Sequence, residues 1–352
     1  MAPRISLVVV GLSLLSIAAC GGGDDSSGAT TGANDGGGVN GDGGAGNGDG
    51  GGGGGTKDGG PILPGSDGGT GSCTIFPADN PWNTNIHDTT AFPVDANSAA
   101  IIDYINTHGS NPGTKIHPDF GSDPSYGIPY IFVPGTQAKV AVTFDQAAES
   151  DPGPYPIPLA APIESGSDAH VIAVDTDNCK LYELDQGAVS GGAWTAYSGA
   201  LFDLKSNALR PDTWTSADAA GLPIFAGLAR LSEVQAGAID HALRFTVGVT
   251  KKKFVHPATH AAGSTDDANA PPMGMRMRLK STFDTSSYTG AAKVIVVALQ
   301  QYGMYVADNG SNWYISGETN TSWNDDELNP LKNLAVDSTN FEVIQIGTLI
   351  NQ

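Results

Sequence analysis

The chain has 352 residues with 17 Lys or Arg against 37 Asp or Glu, a formal charge of −20 at pH 7. So acidic a surface excludes nucleic acid as a natural partner, because phosphate backbones demand a basic one. It also excludes electrostatic docking on anionic lipid.

From the N-terminus, Arg4, the apolar run 5–19 and the small residues before Cys20 make up the three parts of a secretory signal. A run of 15 residues falls short of the roughly 20 that span a bilayer as a helix. Ile17-Ala18-Ala19-Cys20 resembles the bacterial lipobox, with Ile in place of the usual Leu. The resemblance implies cleavage before Cys20 and acylation of its thiol; an ordinary signal peptide with a chance cysteine is the alternative. Gly21, rather than Asp, after the cysteine implies the outer membrane by similarity to Gram-negative lipoproteins.

Residues 21–72 hold 25 glycines, seven Asp, one Lys and no aromatic residue. Such a stretch cannot bury enough apolar surface to offset its ordering entropy, so a disordered tether is expected, with a root-mean-square span of about 40 Å. Glycine patterns that imitate a dinucleotide motif carry no weight there, since no strand precedes and no helix follows. With Arg4 and the spacer's net −6 set aside, residues 73–352 carry −15 and are expected to form one extracytoplasmic, monomeric domain.

In that domain, apolar alternation between Pro and Gly clusters predicts strands over 128–133, 139–144, 170–175, 180–184, 200–204, 242–247, 275–280, 304–307, 313–316 and 341–346. Helical periodicity predicts helices over 98–107, with a good N-cap, and over the nearly all-apolar 291–302, with a short third at 232–237. Many strands and few helices indicate a mainly β fold, a jelly-roll-like sandwich or barrel with peripheral helices, or an α+β fold. With Cys20 reserved for lipid, Cys73 and Cys179 remain; in an oxidising compartment they form a disulfide, with two buried free thiols as the alternative.

Three phrases, His241-Ala-Leu-Arg-Phe-Thr246, Pro272-Met-Gly-Met-Arg-Met-Arg-Leu-Lys280 and Tyr302-Gly-Met with Ala307-Asp-Asn-Gly-Ser-Asn-Trp313, resemble a group of secreted bacterial proteins and lipoproteins. The resemblance covers most of residues 75–346, implies one extracellular domain and brings no catalytic residues with it.

Serine-hydrolase elbows, phosphate loops and zinc-protease helices are missing from the folded part, and no metal or other cofactor is expected. His256-Pro-Ala-Thr-His260 has metal-like spacing without a nearby acidic third ligand, so it reads as a polar loop, as does His117-Pro-Asp119. Along 240–247, alternation places Asp240, Ala242, Arg244 and Thr246 on one face, with His241 on the apolar face as a hydrogen-bonded core residue. Arg276, Arg278 and Lys280 form a cationic row; it either pairs with carboxylates such as Asp203 and Asp308, lies solvated, or grips an anionic glycan. Trp194 and Trp313 lie among Gly, Ser, Asn and Tyr, where a ring either stacks on a sugar or fills the core.

Glu183, Asp203, Asp240, Asp308 and Glu318 could supply the two carboxylates of glycoside hydrolysis. Asp203, Asp240 and Arg244 are the first catalytic candidates, with Trp194, Trp313, Arg276 and Arg278 on the substrate. Three readings follow: an enzyme acting on an extracellular polysaccharide (hydrolase, or lyase on uronates), a carbohydrate-binding or adhesion module, and an envelope protein without a ligand.

Overall fold

The β-branched and aromatic runs all become strands, and the segments between them decide the topology. The computed structural model describes residues 62–64, 70–109 and 112–352; the expected signal, Cys20 and most of the expected tether lie outside them. We label β1 His117–Pro118, β2 Tyr130–Val133, β3 Val171–Asp175, β4 Lys180–Asp185, β5 Ser198–Asp203, β6 Leu243–Val247, β7 Arg276–Leu279, β8 Met304–Asn309, β9 Tyr314–Ile315 and β10 Phe341–Val343. The helices are α1 Ser98–Thr107, α2 Leu231–Ala236 and α3 Gly290–Gln301.

Four strands form one sheet in the order β5-β4-β3-β2, and six form another in the order β10-β7-β8-β6-β9-β1. Val142–Phe144, Ala188–Ser190 and Ala193–Ala196 make a third, three-stranded sheet. The domain is thus built of several sheets with few helices, and no barrel closes among the described residues. Pairing is mixed: β8 runs parallel to β6, β9 to β1, and β2 to β3.

The expected helices form where periodicity places them. Ile295, Val296 and Leu299 of α3 are fully buried, each contributing about 1.5–3 kcal/mol. The chain leaves α3 through Gly303 at φ +69°, where a Cβ would sit 2.1 Å from the Met277 carbonyl, so only glycine lets β8 start there. Helix α1 has no side-chain cap; the Ser98 hydroxyl instead accepts from the Val343 N–H, tying the helix to β10.

Two expectations are adjusted. Ile62–Pro64 pairs antiparallel with Thr70–Thr74 inside the stretch expected to be tether. That stretch has only three large aliphatics, and Ile62 and Leu63 are two of them. Cys73 and Cys179 do form a disulfide, with Cα atoms 5.5 Å apart. Cys179 lies in the β3–β4 turn at φ +55°, just before β4.

Candidate functional site

The site lies where β6, β8 and β9 meet the loop that leads into β3. On β6, Arg244 and Thr246 share a face, as alternation requires. On β8 the pairing slips: Phe245 stands opposite Val306 but Thr246 stands opposite Asp308. This bulge skips Ala307 and brings Asp308 onto the face of Arg244, to which strict alternation would not have assigned it.

Two cavities meet there. One, of about 220 Å3, is lined by Asp119, Glu164, Asp168, His170, Arg244 and Asp308 among others. The other, of about 390 Å3, shares Asp119 and Tyr314 with it and extends past His117, Tyr126, Asp325 and Lys332. Adjoining at these shared walls, the two polar clefts are together called the groove. Aromatic surface flanks it: the rings of His117 and Tyr314 stack at 4.1 Å, and Tyr126 is exposed.

Arg244 is buried in the groove floor and fully engaged. Its Nε and Nη2 donate to the two carboxylate oxygens of Asp218, each at 3.1 Å, and its Nη1 donates to Ser316 Oγ at 2.6 Å. Burial opposes the guanidinium charge, but Asp218 and Asp308 more than restore it and raise its pKa. Beside it, His170 Nδ1 donates to Glu164 Oε2 at 2.5 Å and Nε2 donates to the Ala217 carbonyl at 2.9 Å. Burial alone would neutralise that ring; the Glu164 carboxylate instead raises its pKa to about 9, so it stands as an imidazolium at neutral pH. With both nitrogens donating, His170 is a fixed positive group rather than a free base.

Two carboxylates face the groove with raised pKa values. Asp308 is pushed up to about 7 by burial and by the neighbouring Asp218, against the pull of Arg244. Its Oδ1 accepts from the Asn309 N–H and its Oδ2 lies 3.9 Å from Arg244 Nη2. Asp119 is raised by desolvation and by Glu164, with His117 and Arg244 opposing. Beneath them Glu183 is wholly buried, accepts from the Ile224 and Phe225 N–H groups, and is raised to about 7 by that burial. Asp308 and Asp119 line the same cavity, and a carboxyl protonated near neutral pH can give a proton while an ionised one takes it.

Of the residues put first as catalytic or substrate-binding from sequence, Arg244 alone lines this groove; Asp308, named among the possible acids, lines it as well. Asp203 sits on β5 in an ion pair with Lys180 at 2.8 Å, which lowers its pKa. Asp240 is exposed and accepts from the Tyr302 hydroxyl at 3.4 Å. No contact brings Asp203, Asp240 and Arg244 together.

Trp194 and Trp313 are both 0 % exposed. The Trp194 indole donates to the Ile157 carbonyl, and Trp313 donates to Asn106 and Gly113 while stacking on Phe245. They fill the core, and neither ring is open to a sugar. The two arginines of the cationic row are also covered, because the segment 81–92 crosses them, while the half-buried Lys280 donates to the Ser338 carbonyl. Arg278 pairs with Glu342 and donates to the Ile86 and Phe92 carbonyls; Arg276 donates to Pro81 and Thr84. Neither guanidinium pairs with Asp203 or Asp308.

His241 is the hydrogen-bonded core histidine that alternation predicts, its Nδ1 donating to the Ala242 carbonyl and its Nε2 accepting from Arg230. His256 and His260 go separate ways, to Asp212 and to the Ala219 carbonyl. Glu318, far from the groove acids in role, accepts from the Leu231 N–H and binds the Tyr130 hydroxyl.

No protein-family model matches the chain, and neither curated proteins nor solved structures give a match.

Proposed function

We propose that the groove hydrolyses a polysaccharide outside the cytoplasm, with Asp308 as the general acid and Asp119 as the carboxylate that acts as nucleophile or activates water. The observation that carries this reading is Asp308 itself, a groove carboxyl raised to about 7 and placed by a bulge beside a buried Arg–Asp pair. A protonated carboxyl at neutral pH is what a glycosidic leaving oxygen needs. His117–Tyr314 and Tyr126 supply flat surfaces against which a sugar ring packs.

Charge narrows the substrate. Asp119, Asp123, Asp168 and Asp325 line the groove against Lys332, while the charges of Arg244 and His170 are taken up by Asp218 and Glu164. A uronate or sulfated polymer is repelled by that lining, so neutral or amine-bearing glycans are the substrates favoured. The uronate-lyase reading loses its support, since the arginines invoked for it are buried under another segment.

Incubation with a panel of neutral, amino and acidic polysaccharides tests the reading. New reducing ends from wild type and none from Asp308→Asn support it. The same aromatic rim would also serve a carbohydrate-binding module displayed at the surface; retention on a polysaccharide without cleavage, unaltered in Asp308→Asn, selects that alternative.

The reading places the domain on a membrane through lipid on Cys20, and the Cys73–Cys179 disulfide supports an oxidising compartment. Mass spectrometry of the mature N-terminus checks this: an acylated Cys20, with Cys20→Ser released from the membrane fraction, is expected. An unmodified leader overturns it.

A further inference from the structure

Five arginines lie among the described residues, and all five are buried. Four are paired with carboxylates: Arg210 with Asp151, Arg230 with Glu233, Arg244 with Asp218 and Arg278 with Glu342. Arg276, 6 % exposed, has no carboxylate of the described residues within ion-pair distance. Its Nε donates to the Tyr302 carbonyl at 2.9 Å, Nη1 to the Pro81 carbonyl at 2.8 Å and the Tyr305 hydroxyl at 3.2 Å, and Nη2 to the Thr84 and Tyr302 carbonyls. The hydrogen bonds are complete and the charge is not balanced. A guanidinium cannot escape by losing its proton, and a buried charge without a partner is costly.

The same arginine lines a cavity of about 490 Å3, whose other walls include Phe92, Leu209, Val255, Met275 and Ile346. That volume lies in the range of small-molecule sites, roughly 300–1,000 Å3. Leu209 is 44 % exposed on the same cavity, so apolar surface continues to its edge. The acid on the lining, Asp79, is exposed to water and held by Asn207, and His256 is already paired with Asp212.

We infer that this cavity binds a mainly apolar molecule carrying one carboxylate, whose charge supplies the counter-ion that Arg276 lacks. Because every N–H of Arg276 is engaged, recognition is by charge rather than by a new bidentate fork. The site is separate from the groove and does not depend on the groove's activity.

Calorimetric titration of the mature protein with decanoate and with decanol at low salt tests it. Decanoate is expected to bind at least about tenfold more tightly than decanol, with that preference shrinking as salt is raised. Leu209→Glu, at an exposed position, should weaken decanoate more than decanol. Arg276→Met should make the two ligands equal; if that variant does not fold, the salt series and Leu209→Glu still decide. Equal affinity of wild type for both ligands, or no saturable binding of decanoate, overturns the inference.

Discussion

Arg244 and Arg276 stand in one row of the six-stranded sheet, each opposite Tyr305 from its own side. Both are buried and both have their donors filled. One is locked to Asp218 in a bidentate pair, the other to four carbonyl or hydroxyl groups and no acid. The difference lies in charge compensation. Around Arg244 acids are in surplus, and burial together with the neighbouring Asp218 makes Asp308 hold its proton to about 7. Around Arg276 no acid of the described residues comes within ion-pair distance, and a mainly apolar cavity opens instead.

The sharpest way to break this comparison is to remove each guanidinium. Arg244→Met strands the Asp218 charge and should cost about 3–5 kcal/mol, whereas Arg276→Met leaves carbonyls unpaired without orphaning a charge, at about 1–3 kcal/mol. Denaturant melts measure both, and equal losses would erase the distinction. Next, opening the Cys73–Cys179 link by Cys73→Ser should cost about 2–5 kcal/mol, because it joins segments separated by 106 residues.

The pH dependence sharpens the comparison further. Asp308 must be protonated to act as the acid, so kcat/KM should fall as pH rises through about 7. Stability should move the same way. Asp308 and Glu183 near 7, Asp185 near 6 and His170 near 9 all bind protons more tightly folded than unfolded. Their stabilisation is complete at low pH and is lost as pH climbs through those values. The thermal midpoint should therefore drop from about pH 4, where the unfolded carboxyls ionise, to about pH 9. A midpoint that rises over that range contradicts the assignment. The smallest effect belongs to Asp203→Asn, which breaks a half-exposed pair and should change stability by less than about 1 kcal/mol.

Much of the fold was legible because alternation and helical period are local. Every expected strand run contains a strand, and α1 and α3 lie where predicted. The site was less legible because it depends on non-local facts. Asp308 stood among the candidate acids, but only the bulge at Ala307 sets it beside Arg244. Asp119 belongs to a His-Pro-Asp phrase that reads as an ordinary polar loop, and Asp218, Glu164 and His170 lie in or beside irregular segments without periodic signal. The tryptophans misled in the opposite sense: Gly- and Ser-rich neighbours suggested exposure, yet the turns they form fold each indole inward onto a carbonyl acceptor.

The most direct test pairs the groove with the surface acid. Release of reducing ends from neutral and amino polysaccharides is measured for wild type, Asp308→Asn and Asp203→Asn. The account predicts a loss of at least about a hundredfold for Asp308→Asn and an undiminished rate for Asp203→Asn. Full activity in Asp308→Asn, or cleavage abolished only by Asp203→Asn, would contradict it.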